Sequence, residues 1–234
     1  MNARRLALLQ EMGLAPVWRL RRAPTGEAQP PVEAPDASSS VETGTPGVAR
    51  MGWTELRATV QACTACELCK TRTQTVFGVG NTEADWMIIG EAPGAEEDAR
   101  GEPFVGQAGR LLDNMLASIG LSRQKNVYIA NVLKCRPPGN RNPEAQEIER
   151  CAPFLARQIE LVQPKLLIAM GRFAAQTLLN TDASIASLRG KRHRYNGVPM
   201  IVTYHPAYLL RNLADKAKAW EDLCFARATM KTLQ

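Results

Sequence analysis

Five cysteines are grouped as the ligands of a metal centre would be. Cys63, Cys66 and Cys69 occupy every third position, and fifteen residues separate Cys135 from Cys151. Four thiolates can hold a tetrahedral zinc ion or a 4Fe-4S cluster, and the spacing does not choose between them. Since we expect no secretory signal, these thiols favour a reducing compartment and a metal centre over disulfide bonds. Cys151 could instead be a small apolar residue on one face of a helix.

A carboxylate and an aromatic ring lie in glycine-rich segments that could form a ligand pocket. Glu91 belongs to "GEAPG", Gly90–Gly94, directly after an apolar run. Glycines allow a backbone to approach a flat or anionic ligand closely, which would make Glu91 a functional carboxylate. The alternative is a strand-to-helix turn with a solvated glutamate, and the acidic residues 96–98 are expected to cap or order this loop. Phe104 is either a core residue or a platform on which a planar ligand stacks.

An amide and an imidazole lie at the ends of two further apolar runs. Burying the Asn131 amide costs about 1–3 kcal/mol unless it is paired, so it needs partners from the protein or from a ligand. His205 follows a later apolar run, and a lone histidine is more often structural than catalytic. The other histidine, His193, belongs to "RGKRHR", Arg189–Arg194, whose cations most simply form a solvated hairpin or loop.

Apolar runs that alternate with amphipathic stretches predict an α/β fold. Four short, nearly continuous runs suit the strands of a parallel sheet that is covered on both faces. They are Trp86–Ile89, Val127–Val132, Leu166–Met170 and Met200–Tyr204. We expect a three-layer α/β/α sandwich with a central, mainly parallel four-stranded sheet. Because ligands bind at the carboxyl ends of such strands, Glu91, Asn131 and His205 are expected to converge at one edge of the sheet.

The amphipathic stretches predict the helices that cover this sheet. One helix carries an apolar stripe over residues 111–119 and ends at Gly120. Another begins at Asn142-Pro143-Glu144, with the asparagine as its cap and the proline and glutamate in its first turn. The remaining two predicted helices are Arg172–Leu179 and Asp215–Lys231. Cys224, on the last helix, is most simply a core thiol.

Composition divides the chain into three parts. Residues 51–234 form the predicted folded domain, and residues 23–50, without an aromatic residue, form a predicted disordered linker. Residues 1–22 are rich in arginine and leucine, which is typical of a short amphipathic docking helix and also of an organelle transit peptide. No apolar run approaches the roughly 20 residues of a membrane span. The net charge of +6 is compatible with a polyanionic partner.

Three segments together resemble the motifs of the family 4 uracil-DNA glycosylases, the bacterial and archaeal iron–sulfur type. They are "GEAPGAEEDARGEPFVGQAGRLLDNML", "YIANVLKCRPPGNRNP" and "YHPAYLLRN", and the resemblance covers roughly residues 60–231. It implies the sandwich fold of these glycosylases. It also implies a repair enzyme that flips uracil out of DNA and hydrolyses its N-glycosidic bond, which leaves an abasic site where cytosine was deaminated.

The resemblance implies a role for each residue of the pocket. Glu91 would orient the attacking water and stabilise the cationic sugar. His205 would hydrogen-bond the uracil O2 as negative charge develops there, so these two residues are the predicted catalytic pair. Phe104 would stack on the flipped base and Asn131 would read its edge. The predicted uracil-binding set is Gly90, Ala92, Gly94, Phe104, Asn131 and His205.

The resemblance also implies a 4Fe-4S cluster as the cofactor. Its ligands would be Cys63, Cys66, Cys135 and Cys151, and Cys69 is surplus to that pattern. The cluster would be structural, because hydrolysis of a glycosidic bond needs no electron transfer, although a redox-sensing role on DNA stays open.

The implied partner is single- or double-stranded DNA that contains uracil. The side chains predicted to contact this DNA are Lys134, Arg136, Lys191, Arg192, Leu209, Leu210 and Arg211. Cations at such positions supply affinity that falls steeply with salt, while the pocket supplies specificity. We further expect a cytoplasmic, nucleoid-associated monomer without membrane contact, whose residues 1–22 could bind a protein partner.

Two other functions fit parts of the same pattern. One is a non-enzymatic iron–sulfur or zinc DNA-binding module associated with replication, which would release no base from DNA. The other is a glycosylase for a different deaminated base, or a relative that traps the sugar covalently. That relative has a basic insertion with a histidine after the second strand, where this chain has "KCRPPGNRNP".

Overall fold

A six-stranded sheet forms the centre of the folded domain. The computed structural model describes residues 47–233, so the predicted segment 1–22 and most of the predicted linker 23–50 lie outside the described residues. The strands are β1 Val79–Gly80, β2 Trp86–Gly90, β3 Val127–Asn131, β4 Leu166–Met170, β5 Arg192–Tyr195 and β6 Val198–Thr203. Their order across the sheet is β1-β3-β2-β4-β6-β5.

The four predicted strands are the parallel centre of this sheet. Strands β2, β3, β4 and β6 run parallel and lie within two residues of their predicted bounds. The predicted number of strands was wrong, because an antiparallel strand is added at each edge. Strand β1 has only two residues, and β5 alternates exposed cations with half-buried side chains, so neither contains an apolar run.

Helices cover both faces of the sheet, which confirms the predicted three-layer sandwich. The α-helices of the described residues are α1 Trp53–Gln61, α2 Ala95–Arg100, α3 Gln107–Ser118, α4 Ala145–Val162, α5 Arg172–Leu179, α6 Ile185–Leu188, α7 Pro206–Arg211 and α8 Lys216–Lys231. Successive strand residues point to opposite faces. Met87 and Ile89 therefore join the core beneath α1, α4 and α5, whereas Trp86 and Ile88 join the core beneath α3 and α8. No helix within residues 47–233 is long and apolar enough to span a membrane.

The bounds of the four predicted helices agree with the structure except at the start of α4, whereas α1, α2, α6 and α7 were not predicted. Helix α5 has its predicted bounds, and the chain leaves α3 through Gly120 in a left-handed conformation with φ of 81°. Helix α4 is capped by Glu144 rather than by the predicted Asn142. The carboxylate of Glu147 accepts the backbone N–H of Glu144 at 2.9 Å and pairs with Arg141 at 2.5 Å. Because this carboxylate accepts the N–H of Glu144, that residue becomes the cap, and the helix begins two residues later than the asparagine cap predicts.

Candidate active site

The loops that leave the parallel strands meet around Gly90, the last residue of β2. A Cβ atom at this position would lie 2.6 Å from Cζ of Phe104 and would also collide with Oδ1 of Asn131. The ring of Phe104 in turn stacks on the ring of His205, with 5.4 Å between centroids and 25° between planes. Glu91 follows directly in the chain. The structure thus brings together five of the predicted site residues at the carboxyl edge of the sheet, where ligands of parallel sheets bind.

The amide of Asn131 has an unused hydrogen-bonding group inside the protein. Asn131 is the last residue of β3 and is only 2% exposed. Its Oδ1 is the one buried side-chain nitrogen or oxygen atom within residues 47–233 that lacks a hydrogen-bond partner. An unsatisfied buried polar group costs about 1–3 kcal/mol. This oxygen is therefore available to a hydrogen-bond donor of a ligand that reaches Gly90 and Phe104.

Phe104 is held in an unusual backbone conformation by contacts from three directions. Its φ of 56° lies in the left-handed region, which is uncommon for residues other than glycine. The guanidinium group of Arg123 donates to the carbonyl oxygens of Pro103, at 2.8 Å, and of Phe104 itself. Gly109 approaches the Phe104 carbonyl so closely that a Cβ atom would collide with it. The ring is buried among the apolar side chains beneath α3, with one side against His205.

Glu97 joins the two glycine-rich loops of the site. Its carboxylate accepts the backbone N–H groups of Gly94 at 3.1 Å, Val105 at 3.0 Å and Gly106 at 3.3 Å. The neighbouring Asp98 is buried and accepts the N–H of Thr73 at 2.9 Å. These contacts confirm the predicted loop-ordering role for Glu97 and Asp98.

One hydrogen bond holds the imidazole of His205 through Nδ1 and leaves its Nε2–H group free to donate. Nδ1 accepts the backbone N–H of Ala207 at 3.1 Å at the start of α7. In the neutral ring the proton is therefore on Nε2, which is left to donate to a ligand. Burial lowers the pKa of His205 to about 4, against a smaller opposing effect of Glu97. The ring is neutral at physiological pH, so it acts as a hydrogen-bond donor without carrying positive charge.

Glu91 has a carboxyl group whose acidity is reduced by its surroundings. Burial raises its pKa to about 6, although the positive charge of Arg172 acts in the opposite direction. The backbone oxygen of Glu91 accepts the N–H of Leu133 at 3.0 Å, which ties this loop to the one after β3. A carboxyl group with this pKa is mostly ionised at neutral pH.

Gly171 and Arg172 belong to the site although they were not among the predicted site residues. A Cβ atom at Gly171 would lie 2.9 Å from Cβ of His205, so this glycine lets the imidazole approach the end of β4. Arg172 is exposed at the start of α5 and is the cation that acts on Glu91. Their position directly after an apolar strand is the sequence feature that could have identified them.

The five clustered cysteines line a single pocket on the α4 side of the sheet. The cysteines that line it are Cys63, Cys66, Cys69, Cys135 and Cys151. Two arginines also line it, and Arg72 donates to Sγ of Cys135 at 3.0 Å. All of these thiols are free of disulfide bonds. No three histidine, cysteine or acidic side chains among residues 47–233 converge as the ligands of one metal ion would. Cys224 lies elsewhere, half-buried on α8 rather than in the core as predicted.

Comparison with known proteins decides the family. The model of the uracil DNA glycosylase superfamily matches residues 77–224. The chain belongs to the uracil-DNA glycosylase superfamily. It is 48% identical over 159 residues to the type-4 uracil-DNA glycosylase of Archaeoglobus fulgidus, an alignment that covers 64% of this chain and 79% of the relative. It is 42% identical over 176 residues to the type-4 enzyme of Thermotoga maritima, which covers 74% and 91% of the two chains.

More distant members of the superfamily also match. The type-5 uracil-DNA glycosylase of Pyrobaculum aerophilum is 32% identical over 146 residues, which cover 56% of this chain and 64% of the relative. The higher identity to type-4 enzymes confirms the predicted resemblance to that family. Residues 1–76 and 225–234 lie outside the family match.

Two side chains that the sequence predicts to contact DNA are buried in the structure, so these two predictions are wrong. Lys134 is 1% exposed, and its ammonium group turns inward to oxygen atoms of Asn131 and Gln158. Leu209 is also 1% exposed, because it lies on the inner side of the short helix α7 and packs into the core. Neither side chain can reach a nucleic acid in this structure. Leu210, at 38% exposure, is the apolar side chain that α7 presents to solvent.

The other predicted DNA contacts are accessible. Lys191, Arg192 and Arg211 are exposed, and Arg136 is half-buried with its Nε bound to Oδ1 of Asn140. The predicted hairpin at "RGKRHR" is present, since β5 pairs antiparallel with β6. Its pairing places Arg192 opposite Ile201, two residues before β6 ends at the site edge. The cations at the start of β5 therefore lie on the same edge of the sheet as Gly90, Asn131 and His205.

Proposed function

We propose that this protein removes uracil from DNA by hydrolysing its N-glycosidic bond, leaving an abasic site. The observation that supports this most strongly is the unpartnered Oδ1 of Asn131 beside Phe104 and His205. An amide, an aromatic ring and an imidazole donor at one point suit a planar base that carries hydrogen-bonding groups on its edge. Membership of the superfamily and the type-4 relatives support the same activity.

In this proposal Asn131 supplies the specificity for uracil. Uracil presents an N3–H donor beside the O4 acceptor, and an asparagine side chain offers the complementary acceptor and donor. Cytosine presents an unprotonated N3 beside an amino group. The amide oxygen of Asn131 would then face another acceptor, N3, and its NH2 group would face another donor, the amino group. A mismatch of this kind leaves buried polar groups unpaired and can discriminate by several powers of ten.

Phe104 would contribute to extrusion of the base. Flipping a base out of DNA costs a few kcal/mol, and stacking on an aromatic face partly offsets that cost. The ring is already fixed by Arg123 and Gly109, so its position needs little further ordering when a base arrives.

His205 and Glu91 would act on the charges that bond cleavage creates. The bond between N1 and C1′ breaks with its electron pair on the base, which leaves an anionic uracil and a cationic sugar. The Nε2–H of His205 would donate to O2 of the base, and the carboxylate of Glu91 would stabilise the sugar and orient the water that adds to C1′. Loss of one such donor costs about 3 kcal/mol, or roughly a hundredfold in rate.

The cysteine pocket would hold a 4Fe-4S cluster. Five thiols that line one pocket suit a group with several iron atoms, and Arg72 and Arg150 on its wall suit the negative charge of ligated thiolates. The proposed ligands are Cys63, Cys66, Cys135 and Cys151, while Cys69 lines the same pocket. When bound, the cluster would act as a structural crosslink, and the hydrolytic steps above use only the protein's own side chains.

The activity is tested with oligonucleotides that differ in a single base. The protein is expected to release uracil from single- and double-stranded DNA and to leave matched cytosine and thymine substrates intact. Asn131→Ala should slow excision at least about a hundredfold, with little change in DNA affinity. Asn114→Ala, an exposed asparagine on α3, is the matched control and should behave as the unaltered protein does.

Two outcomes would contradict the proposal. DNA binding without release of any base would favour the non-enzymatic DNA-binding module. Equal losses of excision and DNA affinity in Asn131→Ala would assign this residue to folding or general binding. The monomeric state, a cytoplasmic location near the nucleoid and a protein partner for residues 1–22 stay predictions.

A further inference from the structure

The burial of Lys134 calls for an explanation other than DNA binding. Lysine is almost never fully buried unless its charge is paired. Within residues 47–233 no carboxylate forms an ion pair with this buried ammonium group. Its Nζ instead donates to the backbone oxygen of Asn131 at 2.7 Å and to Oε1 of Gln158 at 2.6 Å.

The first of these hydrogen bonds reaches a carbonyl group of β3 that lies beyond the end of the neighbouring strand β1. In the sheet, β3 lies between β2 and β1. Val132 donates to Gly90 on the β2 side, so the backbone oxygen of the preceding residue, Asn131, points to the other side. There β1 pairs only with Tyr128 and Ile129. The ammonium group of Lys134 therefore supplies the donor that no strand supplies.

Gln158 anchors the other side of Lys134. It lies on α4, is fully buried, and donates through Nε2 to the backbone oxygen of Phe77 at 2.8 Å and to the hydroxyl of Tyr128 at 3.3 Å. The amide orientation that satisfies these two acceptors leaves Oε1 for the lysine. The backbone N–H of Lys134 also donates to Sγ of Cys151 on the same helix, at 3.3 Å.

We propose that Lys134 is a positioning residue for uracil recognition, which holds Asn131 through its backbone oxygen and thereby fixes the amide that faces the base. This inference depends on the proposed excision of uracil. Lys134 does not touch the base and acts only through Asn131. Gln158 holds Lys134 in turn, so the end of β3 is tied to α4 at the point where the chain enters the pocket.

A double-mutant cycle between Lys134→Met and Asn131→Ala tests this role, with single-turnover excision as the readout. Methionine keeps most of the side-chain volume and removes the donor. Because small displacements of a recognition group lower rates by one to two powers of ten, Lys134→Met should slow excision by about 10- to 100-fold. In the Asn131→Ala background the same change should alter the rate less than about twofold, since the group it positions is absent. The DNA concentration for half-saturation and the iron content should stay unchanged in both backgrounds.

Lys165→Met is the matched control, because this lysine pairs with Asp85 at the opposite edge of the sheet and is half exposed. It should excise uracil at the unaltered rate. If Lys134→Met does not fold, Gln158→Met removes the acceptor that holds the lysine and should give a several-fold loss with the same dependence on Asn131.

Three results would overturn the inference. They are an unchanged rate in Lys134→Met, an equal fold-loss with and without the Asn131 side chain, and a loss that accompanies loss of iron. A failure of the proposed function is distinguishable from these, because the unaltered protein would then release no uracil at all.

Discussion

Burial separates side chains of the same type into different roles. Lys134 and Lys191 are both predicted DNA contacts, but the first is enclosed and the second is exposed. Nothing near Lys134 in the sequence shows that its side chain turns toward Gln158, which lies 24 positions later. The importance of Asn131 is predictable, by contrast, because an amide in an apolar run must find a partner inside the protein or in a ligand.

The raised pKa of Glu91 predicts a specific pH dependence of excision. Its pKa is raised to about 6, so the carboxyl group is neutral below that pH and ionised above it. If the ionised form acts on the sugar, excision should be constant above about pH 6 and should fall roughly tenfold for each unit below it. Single-turnover rates measured between about pH 5 and 8, with circular dichroism to verify the fold, test this expectation.

The comparison with Glu91→Gln identifies the group responsible for the pH dependence. This variant should be slow and should lack the decline below about pH 6, because it has no carboxyl group to protonate. His205, whose pKa is lowered to about 4, stays neutral over the same range and adds no second step. A decline of the same size in Glu91→Gln would assign the titration to another group.

At the scale of the elements, the sequence predicts what long apolar patterns encode. The four parallel strands, α5 and the meeting of the strand ends follow from runs of buried residues and from the geometry of parallel sheets. The edge strands and the cap of α4 are not predictable in this way. They depend on pairing with distant backbone or on one carboxylate, that of Glu147, which serves both Arg141 and the helix start.

The conformation of Phe104 lies equally beyond the sequence pattern. The positive φ of this aromatic residue is supported by Arg123, about twenty positions away, which donates hydrogen bonds to two consecutive carbonyl groups. The sequence shows both residues and gives no reason to connect them. The local motif therefore predicts which ring belongs to the site, while its orientation depends on a tertiary contact.

The cysteine pocket joins elements that are far apart in the chain. Cys63 follows α1, Cys135 follows β3, and Cys151 lies on α4. Loss of one of the proposed cluster ligands should therefore loosen several elements together. Cys151→Ser is expected to lower the iron content and the visible absorption, and to reduce the free energy of unfolding by about 2 kcal/mol or more. Iron analysis and thermal unfolding measure both effects.

The half-buried Cys224 provides the matched control for this substitution. Cys224→Ser removes a thiol outside the pocket and should retain the iron and the stability of the unaltered protein. Cys69→Ser distinguishes the ligand sets, because Cys69 lines the pocket without belonging to the proposed four. Full iron retention in Cys151→Ser would contradict the ligand assignment, and iron loss in Cys69→Ser would add that residue to it.

At the scale of the whole molecule, the sheet places the proposed uracil site and a group of exposed cations on the same edge. Lys191 and Arg192 enter β5 beside the carboxyl end of β6, whereas Lys125 and Lys165 precede β3 and β4 at the opposite edge. A duplex whose flipped base lies beside Asn131 and Phe104 must run along this edge of the sheet. The first pair of cations should consequently contact phosphate, and the second pair should not.

The salt dependence of DNA binding separates local contacts from the effect of overall charge. Each phosphate contact contributes about −0.9 to the slope of log K against log salt concentration, so neutralising Lys191 and Arg192 together, each to glutamine, should make the slope less negative by roughly 2. The rate at saturating DNA should stay unchanged, because neither side chain lies in the pocket. Neutralising Lys125 and Lys165 removes the same charge from the other edge and should leave the slope unaltered. Equal changes in both variants would mean that the net charge of +6, rather than this edge, attracts the DNA.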